Sequence, residues 1–214
     1  MKKIILTIIA CLFAMASVNA ATYSPASRVS TVGAQITSKN GLPTVKYSVV
    51  STDTVNTNIA TTKTLQVSKT KLNYAGNDNE TAAVISQEIG AIVNAAASKK
   101  SFISSVSNSV LSNISDEKLQ DLATLTQQIS LSNMSEKDQM DADITGVDLM
   151  IKAGYNPLAM IVILGKMEGS LKDALRMQPA NLKRTMNIYD YLSYNYPAKV
   201  KAGYACNEYR NFVA

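Results

Sequence analysis

Acid–base chemistry on a polypeptide most often uses an imidazole, and this chain of 214 residues contains no histidine. That absence removes the His general base, the Ser-His-Asp triad and every His-ligated zinc site on the chain itself. Cysteine adds little. Of the 2 cysteines, Cys11 lies in the first twenty residues and Cys206 near the C-terminus. Carboxylates remain, but metal-free hydrolysis needs two acids held close with their pKa values pushed apart, and sequence spacing does not establish that. The cations are spread along the chain, as at Lys63, Lys69, Lys71, Lys99 and Lys100. No basic stripe with interleaved aromatics appears, so no nucleic acid is expected as a partner. Tyr189, Tyr191, Tyr194 and Tyr196 cluster before Pro197. They read either as packing of a C-terminal helix or as a surface for a peptide or partner, where tyrosine is favoured.

Elements must position any such residues, and the first twenty are set aside from them. Lys2 and Lys3 precede the apolar run Ile4 to Val18, and Val18-Asn19-Ala20 offers small residues for cleavage before Ala21. That pattern is a secretory signal peptide, so the protein is expected to be exported, periplasmic or secreted. Ile8-Ile9-Ala10-Cys11 resembles a lipoprotein box, but the apolar run continues past Cys11. Loss of Lys2 and Lys3 takes the net charge from +5 to +3. It also leaves Cys206 as the sole cysteine, either a small half-buried residue or a bridge between two copies. With 46% hydrophobic residues the chain can build one globular domain rather than a disordered tail.

Residues 21–42, rich in Ser, Thr, Gly and Pro, read as a loose lead-in with one short helix suggested by Val29, Val32 and Ile36. Three short strands are expected at Val45–Val49, Val55–Ala60 and Thr64–Val67 from alternation and β-branched residues. Everything after Asn77 reads as helical. Asn77 and Glu80 form a capping box for the first of these helices, followed by helical spacing at Ile85, Ile89 and Ile92. Further helices are expected across Ser101–Ser115, Ser115–Ser130, Ser135–Lys152, Leu158–Glu168 and Asn181–Tyr194. Gly154-Tyr155-Asn156-Pro157 marks a stop and a restart. The fold class is α+β, a small antiparallel sheet followed by a mainly helical body over 43–196, with a tail over 197–214.

Four colinear stretches carry a resemblance. The first is Val55-Asn56 with the residues after it. The second is Asn79-Glu80-Thr81-Ala82-Ala83-Val84-Ile85-Ser86-Gln87-Glu88-Ile89-Gly90-Ala91-Ile92. The third is Met140-Asp141-Ala142-Asp143-Ile144-Thr145-Gly146-Val147-Asp148-Leu149-Met150, continuing through Ala153-Gly154-Tyr155-Asn156-Pro157. The last is Gln178-Pro179 with Arg184 six residues after the glutamine. Together, over about Pro43 to Leu192, they resemble the HtpX-like and CAAX-prenyl-protease family of zinc metallopeptidases, metallopeptidase family forty-eight, which are gluzincins with a zincin-like fold.

The resemblance implies a site built from two His at i and i+4, a Glu beside the first as general base, and a Glu from a later helix as third zinc ligand. A supporting Asp follows that third ligand by four residues, and a downstream His-Pro element lies near the developing oxyanion. Laid on this sequence, the first zinc His falls on Gln87, the base on Glu88 and the second His on Ala91. The ligand Glu falls on Gln139, its supporting Asp on Asp143 and the downstream His on Gln178. The base and the supporting Asp are retained, while all three ligands and the downstream His are replaced. Neutral amide oxygens are poor zinc ligands and alanine offers nothing, so no cofactor is expected although the family's cofactor is zinc.

The expectation is therefore a catalytically inactive pseudopeptidase, binding polypeptide or a partner protein in the cell envelope. A peptide could add to the edge strand at Val55–Ala60. Glu88 is read as a helix residue paired with a nearby group, and Asp143 as a hydrogen-bond partner of Gln87 or of a backbone amide. Gly90 is read as permitting close helix contact, and Met140 as a side chain able to fill the cleft. The alternatives are an active metalloendopeptidase, as the resemblance alone suggests, and a structural or assembly protein dimerised through Cys206. A metal-free hydrolase using Glu88 and Asp143 is the remaining reading.

Overall fold

The computed structural model describes residues 23–51, 64–98, 135–168 and 179–214. The expected signal peptide, the strand Val55–Ala60, the helices expected over 101–130 and Gln178 lie outside the described residues.

The lead-in is more ordered than its composition suggested. Helix α1, Pro25–Lys39, starts with proline in its first turn, where the missing N–H costs nothing. The spacing of Val29, Val32 and Ile36 puts all three in the core. Asn40 ends the helix and is itself buried. Its side-chain amide donates to Ile36 O at 2.8 Å and to Leu149 O at 3.0 Å, tying α1 to a distant helix.

Strands β1, Lys46–Val50, and β2, Thr64–Ser68, pair in parallel, with Lys46 opposite Thr64 and Val50 opposite Ser68. The expected antiparallel sheet is thus corrected: the described residues form a two-stranded parallel sheet. Alternation and β-branching identify strands but carry no direction. The link over 51–63 is long enough for the crossover of roughly a dozen residues that parallel neighbours need. Leu65 and Val67 of β2 are fully buried.

Immediately after β2 comes the one-turn helix α2, Lys69–Leu72, with Ser68 as its cap and Leu72 in the core. Helix α3, Asp78–Ser98, is the central element. Asn77 Oδ1 accepts from the Glu80 amide at 3.1 Å, the capping arrangement expected from the sequence. Thr81 to Ile85 are fully buried, so this helix is enclosed on every side rather than amphipathic. Helix α4, Glu136–Ala153, opens with a reciprocal Ser135–Asp138 capping box and stops at Gly154, whose φ of 86° needs no Cβ to be avoided.

Helices α3 and α4 lie almost backbone to backbone. A Cβ on Gly90 would collide with the Ala142 carbonyl, and one on Gly146 would come within 2.9 Å of Ser86 O. Helix α5, Ala159–Glu168, is buried from Ala159 to Leu164. Helix α6, Pro179–Asn195, crosses both α4 and α5. The segment expected as a tail holds two short helices, α7, Pro197–Ala202, and α8, Asn207–Val213, with Tyr209 in the core. Among the described residues, no helix is long and apolar enough to cross a membrane.

Candidate functional site

The close approach of α3 and α4 brings Gln87, Glu88 and Ala91 beside Gln139 and Asp143. A cavity of about 100 Å³ opens between these helices, lined by Lys71, Gln87, Ala91, Gln139, Ala142, Asp143, Met167 and Arg184. All three positions assigned to zinc ligands therefore face one small space. Of the other residues singled out, Glu88 and Asp143 are buried beside it with no exposed surface. Met167, not Met140, supplies its flexible apolar wall.

Both buried carboxylates are matched by cations. Glu88 Oε1 accepts from Lys71 Nζ at 2.6 Å, and the lysine side chain keeps 24% of its surface exposed while the glutamate keeps none. Lys71 reaches this point because α2 is a single turn anchored by Leu72 and capped by Ser68, whose Oγ accepts from the Lys71 amide at 3.4 Å. The second oxygen, Glu88 Oε2, is buried and has no hydrogen-bond partner among the described residues. Arg184 of α6 binds Asp143 in the bidentate fork that suits guanidinium to carboxylate, Nε to Oδ2 at 2.6 Å and Nη2 to Oδ1 at 2.8 Å. Asp143 Oδ1 also accepts from Gln87 Nε2 at 2.9 Å, and Gln139 Oε1 accepts from Arg184 Nη1 at 3.3 Å. Two cations and two anions cancel, so the cleft carries no net formal charge.

Zinc takes thiolate, imidazole or carboxylate donors, four of them in a closed site. Here the ligand positions present two amides and a methyl group. One amide already donates to Asp143, the other already accepts from Arg184, and both Asp143 oxygens are engaged. Among the described residues, no three His, Cys, Asp or Glu side chains come together anywhere. The donor set does not fit the metal.

Sequence reasoning missed Lys71, which reads as one of several scattered surface lysines. The available signal was indirect: a buried Glu88 deprived of a metal needs another cation, but nothing in the spacing says which. Arg184 stood in a quoted stretch, yet its role as partner of Asp143 depends on how α6 crosses α4. The tyrosines divide. Tyr191 and Tyr196 donate to Asp148 at 2.8 and 3.2 Å, Tyr189 packs edge-on against Phe212 with centroids 5.6 Å apart, and Tyr194 is 88% exposed. Cys206 caps α8, its Sγ accepting from the Tyr209 amide at 3.3 Å. Burial pushes the thiol pKa up, which disfavours the reactive thiolate.

The model of peptidase family M48 matches residues 24–192, from the start of α1 into α6. No curated protein and no solved structure matches the chain.

Proposed function

The chain belongs to peptidase family M48, and from that premise we propose that it is a family domain without peptidase activity, exported to the cell envelope, where it binds polypeptide or a partner protein. One observation carries the reading. The carboxylate at the general-base position, Glu88, is held by the Lys71 ammonium beside a cavity whose three ligand positions hold Gln87, Ala91 and Gln139. Hydrolysis of a peptide in this family requires a water whose proton is made labile by the metal. With no ligand set to hold zinc, Glu88 has no activated water to deprotonate, and one of its two oxygens is engaged by an ammonium instead. The metal-free alternative fares no better, because the second acid, Asp143, is saturated by Arg184 and Gln87.

Binding is supported by what the scaffold keeps. The cleft remains open enough for a small polar group, and α6, which brings Arg184 to it, also exposes Leu182 and Met186 one turn apart. The export component rests on the pattern of residues 1–20. Zinc content and casein cleavage, measured on the purified protein with and without added zinc and chelator, test the inactive state. Substoichiometric zinc and no chelator-sensitive cleavage are expected. Tightly bound zinc with chelator-sensitive cleavage would overturn the reading. Binding is tested separately, by titrating unfolded casein and following the fluorescence of a label placed at Cys206.

A further inference from the structure

We propose that the Lys71 ammonium has taken over both the place and the charge of the metal, so that this cleft rejects zinc even when ligands are restored to it. The inference rests on the reading above, that the cleft is a metallopeptidase centre without its metal, and adds which residue replaced the metal and what that replacement does.

The placement is a built one. Lys71 lines the same cavity as Gln87, Ala91 and Gln139, and its Nζ lies 2.6 Å from the carboxylate at the general-base position. The lysine sits on a one-turn helix fixed at one end by the buried Leu72 and at the other by the Ser68 cap. Glu88 is fully buried and, among the described residues, Lys71 is its one ion-pair partner. A carboxylate withdrawn from water needs a compensating cation close by. In a metal-bearing centre a divalent ion supplies that charge; here a covalently attached ammonium supplies it from within the chain.

The consequence for metal binding is electrostatic. A dication held at positions 87, 91 and 139 would share one small cavity with Lys71, and at short range like charges repel strongly in a protein interior. Arg184 also lines the cavity, with its charge matched by Asp143. Restoring the three ligands alone thus leaves the Lys71 ammonium beside the new donors, where a dication would have to displace it from Glu88. Replacing Lys71 by a neutral side chain of similar length removes that barrier.

The test compares full-length variants titrated with zinc alone by calorimetry, with the cobalt(II) absorption spectrum as an independent reading of tetrahedral geometry. The triple variant Gln87→His/Ala91→His/Gln139→Glu is expected to bind zinc about 100-fold more weakly than the same variant carrying Lys71→Met. The tetrahedral cobalt spectrum is expected only when Lys71 is replaced. Should removal of Lys71 prevent folding by stranding Glu88, the pair is repeated with Glu88→Gln in both members, and the same gap is expected. Equal zinc affinity with and without Lys71, including no binding in either, overturns the proposal. The unmodified chain is titrated alongside: stoichiometric zinc binding there sinks the parent reading, whereas failure of the variants to differ sinks only this one.

Discussion

Glu88 and Lys71 are partners of unequal standing, because the glutamate has no exposed surface while the lysine keeps 24% of its own. Removing the lysine leaves a charged carboxylate stranded in the interior; removing the glutamate's charge leaves an ammonium that water can still reach. Lys71→Met should therefore cost about 3–5 kcal/mol, the usual penalty for orphaning one member of a buried pair. Glu88→Gln should cost only about 1 kcal/mol. The double variant should recover most of the loss, and urea unfolding of all four proteins gives the coupling directly. Equal costs for the two single changes would mean that the pair is not the asymmetric unit described here. A second carboxylate, the half-buried Asp148, offers a pH test away from the cleft. Burial raises its pKa, and the hydroxyls of Tyr191 and Tyr196, which donate to it, only partly offset that. A carboxyl with a raised folded pKa contributes stability fully below its unfolded value and loses it as pH climbs through the folded value. The melting-temperature advantage of the unmodified protein over Asp148→Asn should accordingly be largest below about pH 4 and shrink towards neutrality. An advantage that grows with pH would show that the tyrosine hydroxyls outweigh burial.

Between helices, distance is set by what is missing. Glycine in a helix interior usually costs about 0.5–1 kcal/mol relative to alanine, so Gly→Ala is a stabilising change wherever there is room. Among the described residues, Gly165, in α5, has nothing within 4 Å of where a Cβ would stand. Gly165→Ala should stabilise the protein by about that amount. At Gly90 the same Cβ would strike the Ala142 carbonyl, and backbone cannot move aside as a flexible side chain can. Gly90→Ala should destabilise by about 1–3 kcal/mol despite its better helix propensity. The two melting temperatures should move in opposite directions, and a rise in both would mean α3 and α4 can part. What was legible in the sequence follows the same division between local and distant. Helix starts at Asn77 and Ser135 and the stop at Gly154 depend on bonds within a few residues, so their signals survive in one dimension. The direction of β2 relative to β1 depends on the path of the intervening chain, which alternation does not encode. The buried face of α1 was visible in Val29, Val32 and Ile36 but was masked by a polar, Ser- and Thr-rich composition. In the cleft, Gln87, Ala91, Gln139 and Asp143 could be placed by the resemblance because they lie on the two recognisable helices. Lys71 and Arg184 come from elements whose approach is fixed only by packing.

The family match ends at residue 192, yet the buried structure does not. Glu80, 2% exposed in the first turn of α3, accepts from Lys166 Nζ at 2.7 Å, from the Gly76 amide at 2.7 Å and from Tyr204 OH at 3.2 Å. Tyr204 also donates to Asn77, the cap of α3, at 3.0 Å, and Asn156 Nδ2 donates to Gly203 O at 3.0 Å. Farther on, Tyr209 is buried and Phe212 packs against Tyr189 of α6. The last twelve residues thus close over the N-terminal end of the helix that carries Gln87, Glu88 and Ala91. Their removal takes away the burial of Tyr209 and one partner of a buried carboxylate at once. Truncation before Gly203 should destabilise the protein by about 3 kcal/mol or more, a fall in melting temperature of roughly 6–12 °C for a chain of this size. Amide exchange should locate the effect in the first turns of α3, with the α4 capping box at Ser135 much less affected. If the truncated protein melts unchanged and α3 stays protected, the C-terminal helices rest on the domain without stabilising it, and the cleft owes its geometry to α3, α4 and α6 alone.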